Sequence, residues 1–582
     1  MYHKNWIVKP LPDIAVRKHL SETVWVDDLL SIILAQRGIN EFESARNFFR
    51  PSCEQLHQPA LMKDMQKAVS RIACAIQNRE KIMVYGDYDV DGTTSVAMVY
   101  SFLKTRSSHV DFYIPDRYTE GYGVSFKGID TAKEKGCTLI ICLDCGIKAV
   151  EKIRYAAAMG IDFIVCDHHN PGGELPPAFA ILNPKRPNCE YPYKELSGCG
   201  IGFKLLQAFA EANKIPMDEV FQYIDLVAVS IASDIVPMDG ENRILAALGL
   251  QKLNENPSTG LKSIMRVSRM ESAETAPDEG KIKVQTDDIV FKIGPRINAA
   301  GRMKSGRQAV ELLISDNEKE ASRFSAEIND SNENRRNVDA NITQQALEKL
   351  AENPETKHRK TTVLYDPSWH KGVIGIVASR LIETYYRPTV ILTQSGDFAN
   401  GSARSVEGFD LYAAIDTCSD LLENFGGHRY AAGLTLKKEN IAEFSRRFED
   451  TVAATIREEQ LIPSVLIDAE TGFAAITPKF LRILKQFQPF GPRNMHPVFL
   501  TRAVKDNGNA KLVGKNGEHL KLDVYSEKQP DLCFPAIGFQ LAGHYNAIRS
   551  GKPFDICYTI DENTFRGKTT VQLYIKDIKI CE

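Results

Sequence analysis

The sequence predicts an α/β protein: a doubly wound parallel-sheet domain, joined by a long helix to a smaller α/β domain, with an all-β barrel-like module behind them. Three observations carry this. From about Asp64 to Val236, short apolar runs alternate with runs of helical period, the signature of repeated βα units and a parallel sheet. Between Arg307 and Asn353 there is no Gly or Pro. From about Leu461 the hydrophobic period shortens to two.

The first 60 residues read as a helical segment, with runs from Val24 to Ile33 and from Phe42 to Phe49. The first α/β domain is expected over residues 61–315. Its strands are predicted at Ile82–Tyr85, Val110–Ile114, Thr138–Leu143, Asp162–Cys166 and Ala178–Leu182, its helices at runs such as Val96–Leu103, Ala149–Met159 and Ile201–Ala212. A polar loop over Ser268–Glu279 and a Gly/Arg-rich patch, Gly294-Pro-Arg-Ile-Asn-Ala-Ala-Gly-Arg302, close it. Apolar positions at Ala321, Phe324, Ile328, Val338, Ile342, Ala346 and Leu350 mostly keep helical spacing amid heavy charge. So polar a face suits a connector, and residues 316–355 are read as a helical linker.

A second α/β domain is expected over 356–460, with strand Thr362–Tyr365, helix Val373–Tyr386 and strand Pro388–Thr393. It carries two Gly-rich stretches read as turns, Gly401-Ser-Ala-Arg404-Ser and Gly426-Gly-His428-Arg. In residues 461–582, Phe554/Ile556/Tyr558/Ile560 and Val571/Leu573/Ile575 alternate with mostly polar residues. Asn516-Gly517 between two strand-like runs is a hairpin signal. A module of this size fits an oligonucleotide-binding (OB) barrel, and composition alone also allows a sandwich.

Bulk properties set few limits. A composition 43% hydrophobic and 25% charged is that of an ordinary globular protein. The net charge of −3 neither announces nor excludes a nucleic-acid partner, since a basic groove can lie beside an acidic site. No stretch is long and apolar enough for a membrane span, and the start lacks a signal-peptide core, so a cytoplasmic protein without membrane association is expected. Cys142-x-x-Cys145 has no second pair and sits in a strand pattern, which favours core packing over zinc or redox chemistry.

The chemistry concentrates in Asp87-Tyr-Asp89-Val-Asp91-Gly92, where three carboxylates follow a buried strand. Strand ends of an open parallel sheet are where such folds place ligands, and three carboxylates there need cations to stay ionised. The run matches an EF-hand loop through its sixth position, but Met98 stands where a bidentate Glu is required. Three further clusters close other elements: Asp144, Asp167-His168-His169, and Asp234 after an apolar helix. An oxygen-rich set with imidazole and no thiolate favours Mn²⁺ or Mg²⁺. The number of ligands suggests two such ions sharing a carboxylate, hence hydrolysis of a phosphoester or phosphoanhydride.

In this order, the four clusters resemble motifs I to IV of the DHH phosphoesterase superfamily, and Gly401-Ser-Ala-Arg404 with Phe425-Gly-Gly-His428 resembles its DHHA1 companion domain. Together with the 294–302 patch and the β module, the resemblance points to the branch of bacterial exonucleases specific for single-stranded DNA. It implies a metal-dependent 5′→3′ exonuclease releasing nucleoside 5′-monophosphates in DNA repair and recombination. It also implies single-stranded DNA as substrate, and single-stranded-DNA-binding protein and a RecQ-type helicase as partners. By resemblance Asp87 and Asp89 hold one metal, Asp91, His168 and Asp234 the other, and Asp144 bridges them. Asp167 orients His168 from behind, and His169 faces the scissile phosphate. Arg117, Ser402 and Arg404 anchor a 5′-phosphate, Arg296 and Arg302 contact the strand backbone, and His428 joins the substrate-binding set. Other hydrolases of the superfamily need no OB module. A haloacid dehalogenase-type phosphatase explains neither Asp87 nor Asp167-His168-His169, and a catalytically dead replication factor should lack ligands that are all present here.

Overall fold

The computed structural model describes residues 4–270, 283–353, 356, 358–565 and 568–581. Beyond Met270, the polar loop read over Ser268–Glu279 lies outside the described residues. The first sheet has five parallel strands in the order Val110–Tyr113, Lys81–Gly86, Cys137–Leu143, Asp162–Cys166, Ala180–Leu182. Each lies within two residues of its predicted range. The order reverses between Lys81–Gly86 and Cys137–Leu143, a topological switch point, which opens a crevice at the strand ends. Helices cover both faces, and the strand interiors Val84, Ile141 and Ile164 are fully buried.

Two local expectations fail instructively. The predicted helical run Val96–Leu103 starts too late, because Gly92-Thr-Thr-Ser95 already belongs to the helix Val90–Lys104. Asp89 caps that helix by accepting from Gly92 N (2.9 Å), and Thr94 and Ser95 bond back to the carbonyls of Val90 and Asp91. The helical run from Val24 to Ile33 is broken: one helix, Ile14–Val24, ends at Trp25 with φ 62°, and Asp27 caps the next, Asp28–Gln36.

The linker is one helix, Glu318–Glu352, 35 residues and so about 52 Å long. Its first half buries Ala321 and Ile328 in the core of the first domain. Its second half buries Ile342, Ala346 and Leu350 against Trp369, Val373 and Val377 of the second. Thus a mostly polar helix is held at both ends by different cores.

The second sheet runs Leu422–His428, Ala431–Lys437, Phe398–Arg404, Thr389–Ser395, Thr362–Tyr365. Both Gly-rich stretches lie in its strands, which corrects their reading as turns. Gly401 serves packing: a Cβ there would stand 2.6 Å from Leu392 Cδ2 and 3.0 Å from Leu434 Cγ on the neighbouring strands.

The C-terminal module is a closed five-stranded barrel, which decides for an OB-type fold over a sandwich. Closure comes from Phe499–Asp506, which pairs with both Phe554–Phe565 and His519–Ser526. The predicted hairpin is present, with Val513 opposite His519 and Gly517 at φ 70°. The N-terminal segment joins this module: Asn5–Val8 pairs in parallel with Ser464–Ile467, and Leu20, Leu30 and Ile33 share the apolar core of Phe480, Phe499 and Tyr558.

Candidate active site

The predicted metal ligands converge at the switch point. Asp87 directly follows the strand Lys81–Gly86, Asp144 the strand Cys137–Leu143, and Asp167 and His168 the strand Asp162–Cys166. Asp234 is the C-terminal cap of the helix Ile224–Ser233. From His168 Nε2 the distances are 3.2 Å to Asp144, 3.5 Å to Asp234 and 3.8 Å to Asp91. Ligand atoms of Asp91, His168 and Asp234 all lie within 4.8 Å of one another, as do those of Asp144, His168 and His169.

Asp91 is fixed by the start of the helix Gly198–Ala212: it accepts from Gly198 N (2.6 Å), Cys199 N (2.8 Å) and Ser230 Oγ (2.7 Å). Helix N-termini favour such carboxylates. The approach requires Gly198, whose Cβ would stand 2.7 Å from Asp144 Cβ. In contrast, Asp87 Oδ2, Asp144 Oδ1 and His168 Nε2 are buried without a hydrogen-bond partner. Burial raises Asp87, Asp144 and Asp234 well above the ordinary carboxylate range, and neighbouring aspartate charges push the same way. Bare, buried, mutually repelling oxygens beside an imidazole nitrogen are a donor set that fits hard divalent cations.

One predicted role is corrected by the geometry. Asp167 does not back His168: its Oδ1 lies 2.7 Å from Nδ1 of His169, while Oδ2 accepts from Ile147 N. Adjacent histidines point in different directions, so the chain order alone does not tell which ring a neighbour reaches. Burial works to raise Asp167, but the His169 hydrogen bond and charge outweigh it and hold it at about 2. Burial likewise works to lower His169, and the Asp167 contact raises it instead.

Near the carboxylates, with the Arg117 charge acting on Asp87, lies a group of cations. Arg302 is lowered to about 10 by burial and by the charges of Arg117 and Arg404, and Arg404 and Lys371 are each lowered by burial and by Arg117. Arg404 Nη1 donates to Ser402 Oγ (3.1 Å), and Arg302 Nη1 to Gly372 O (3.2 Å), just before the helix Ile374–Thr384. Arg117 stacks over the Tyr88 ring at 4.9 Å. Among the described residues none of these four cations has a carboxylate within ion-pair distance. Cations gathered without counter-charge make an anion site. Lys371 was not legible as a member, because a lone Lys before a helix carries no motif.

Arg296 lies apart from this group. It bonds Asn329 Oδ1 and the Lys292 carbonyl, and faces Arg335 and Arg336 of the long helix. His428 is lowered by burial and then by Lys148, His169 and Lys185, which puts it opposite the histidine pair. Lys148 and Lys185 were missed for the same reason as Lys371. Cys142 and Cys145 are buried free thiols with Sγ atoms 3.3 Å apart. Among the described residues no helix is long and apolar enough to cross a membrane.

Fold and site together define a phosphoesterase of the DHH superfamily. Residues 81–231 match the DHH family N-terminal domain, 358–454 the DHHA1 domain and 467–577 the RecJ OB domain. The single-stranded-DNA-specific exonuclease RecJ of Bacillus subtilis (strain 168) is 37% identical over 98% of this chain and 70% of its own length. That of Escherichia coli (strain K12) is 31% identical over 94% of this chain and 95% of its own. The crystal structure of RecJ from Thermus thermophilus in complex with Mn²⁺ superposes with a TM-score of 0.83 at 25% identity, covering 99% of this chain and 80% of that one. The chain belongs to the RecJ family of single-stranded-DNA-specific exonucleases.

Proposed function

We propose that this protein is a metal-dependent 5′→3′ exonuclease that degrades single-stranded DNA to nucleoside 5′-monophosphates, in DNA repair and recombination. The observation that carries the reading is the pairing of bare buried carboxylate oxygens with a group of cations that has no ion-paired carboxylate, joined where the Arg117 charge acts on Asp87. The T. thermophilus relative was crystallised with Mn²⁺. In our reading two divalent cations, Mn²⁺ or Mg²⁺, are held here, one by Asp87 and Asp89, the other by Asp91, His168 and Asp234, with Asp144 shared. When bound, such ions acidify an attacking water and neutralise charge developing on the phosphoryl oxygens.

The chain's own residues do the rest. Asp167 accepts from Nδ1 of His169 and favours its imidazolium form, so Nε2–H faces the cleft and donates to a non-bridging oxygen of the scissile phosphate. Arg117, Ser402 and Arg404, with Arg302 and Lys371 behind them, hold the terminal 5′-phosphate and set the distance from the end to the scissile bond. His428 contacts the strand near the metals, and Arg296 contacts its backbone beside the long helix. The anchor takes residues from both α/β domains, so it assembles only across the cleft, where a single strand fits and a duplex is too wide. The barrel extends the strand-binding surface. Single-stranded-DNA-binding protein and a RecQ-type helicase are natural suppliers of this substrate.

The test is Arg404→Ala. A charge-assisted contact of this kind contributes on the order of 1.5–3 kcal/mol. Degradation of 5′-phosphorylated strands should therefore slow by roughly ten- to a hundredfold, and 5′-hydroxyl strands far less. Equal losses on both would mean that Arg404 serves folding or general strand binding.

A further inference from the structure

The loop between the strand Val110–Tyr113 and the helix Phe126–Glu134 carries Arg117 at one point and Tyr122 at another. It is built as a stiff piece. Glu120 accepts from Tyr113 Oη and Ser125 Oγ, Asp116 accepts from the N–H groups of Tyr118 and Thr119, and Tyr85 Oη donates to the Gly123 carbonyl. Tyr118 Oη donates to the Arg302 carbonyl, which ties the loop to the cation cluster. The Arg117 guanidinium lies over the Tyr88 ring, and that ring meets Tyr122 edge-on at 6.3 Å.

Tyr122 is 53% exposed, so burial does not fix it. Its hydroxyl instead lies 3.2 Å from His169 Nε2. Because Asp167 occupies Nδ1, Nε2 is the one ring nitrogen left to meet a substrate oxygen, and here it is already engaged. A continuous chain of contacts thus runs from the end anchor to the catalytic histidine: Arg117, Tyr88, Tyr122, His169, Asp167.

We propose that Tyr122 is a specificity-determining residue that parks His169 until a terminal phosphate engages Arg117. Occupation of the anchor draws the Arg117 side of the stiff loop toward the phosphate, the Tyr122 hydroxyl leaves Nε2, and the histidine turns to the scissile phosphate. A strand without a 5′-phosphate leaves the contact in place and is cleaved slowly. This rests on the end-anchor reading above, and adds to it a route by which end recognition controls rate as well as binding.

Tyr122→Phe tests it, because the ring and its packing remain and only the hydroxyl goes. Single-turnover rates and apparent KM are measured in Mn²⁺ on 5′-phosphorylated and 5′-hydroxyl strands of one sequence. One neutral hydrogen bond corresponds to about a three- to tenfold change in rate. The variant should cleave 5′-hydroxyl strands about three- to tenfold faster than wild type at unchanged KM, with no gain on phosphorylated strands. A variant rate on hydroxyl strands equal to or below wild type, or an effect confined to KM, overturns the proposal and leaves Tyr122 a stacking or structural residue. A wild-type enzyme with no preference for a 5′-phosphate would instead overturn the anchor itself.

Discussion

Asp144→Asn is expected to remove exonuclease activity, by at least about a thousandfold, while the metal-free protein becomes more stable. The first half follows from position: Asp144 Oδ1 is buried without a hydrogen-bond partner, 3.2 Å from His168 Nε2, where the proposed shared ligand would stand. The second half follows from its ionisation. Burial, with Asp91, Asp89 and Asp234 nearby, raises Asp144 well above the ordinary carboxylate range. A carboxyl raised in the folded state contributes stability below its unfolded pKa, and that contribution is lost as pH rises through the folded value. Chelated wild-type protein should therefore lose stability as pH climbs from the ordinary carboxylate range toward neutrality. The variant, with one fewer carboxylate, should show a shallower loss and at pH 7.5 melt ~2–4 °C higher for each kcal/mol relieved. Added Mn²⁺ should reverse the order, because a ligand at a hundred times its dissociation constant stabilises the wild type by about 2.7 kcal/mol. Full activity of the variant in excess Mn²⁺ would contradict the shared-ligand role.

Arg243→Met is expected to destabilise the protein by on the order of 3–4 kcal/mol without touching the site. Arg243 is 4% exposed and reaches from the first domain to the segment that follows the helix Pro478–Lys485. Its guanidinium donates to the carbonyls of Phe48, Gln486, Phe487, Gln488 and Pro489, and lies 3.7 Å from the Phe48 ring centroid. Burial, with Arg37 nearby, lowers it to about 9, and the surrounding carbonyl oxygens satisfy the buried guanidinium. Methionine fills the volume but leaves several of those oxygens without a donor. Chemical denaturation should report the loss, and proteolysis near residues 486–490 should accelerate. An unchanged midpoint would mean that Asn494, which also donates to Phe487 O and Pro489 O, suffices alone.

What the sequence made readable was local. Asp87, Asp89 and Asp91 stand next to a strand and a helix whose patterns are unambiguous, and the switch point does the rest. Contacts closed over long separations left no trace: Asn5–Val8 finds its partner at Ser464–Ile467, and Arg243 finds carbonyls beyond residue 480. Glycine misled where it serves packing, as at Gly401, because a strand that needs space for its neighbours looks like a turn. The pairing of Asp167 with His169 depends on ring direction, and the cation cluster contains Lys371, which no spacing rule selects.

The central claim is that metals and an end anchor share one cleft. The most direct measurement gives purified protein, with Mn²⁺ and with chelator, single strands labelled at the 5′ or the 3′ end and the matching duplex, and sizes the products over time. The account predicts metal-dependent release of labelled mononucleotide from the 5′ end, a ladder shortening from that end on 3′-labelled strands, and no attack on blunt duplex. Mononucleotide released first from the 3′ end, or equal degradation of duplex, would contradict it.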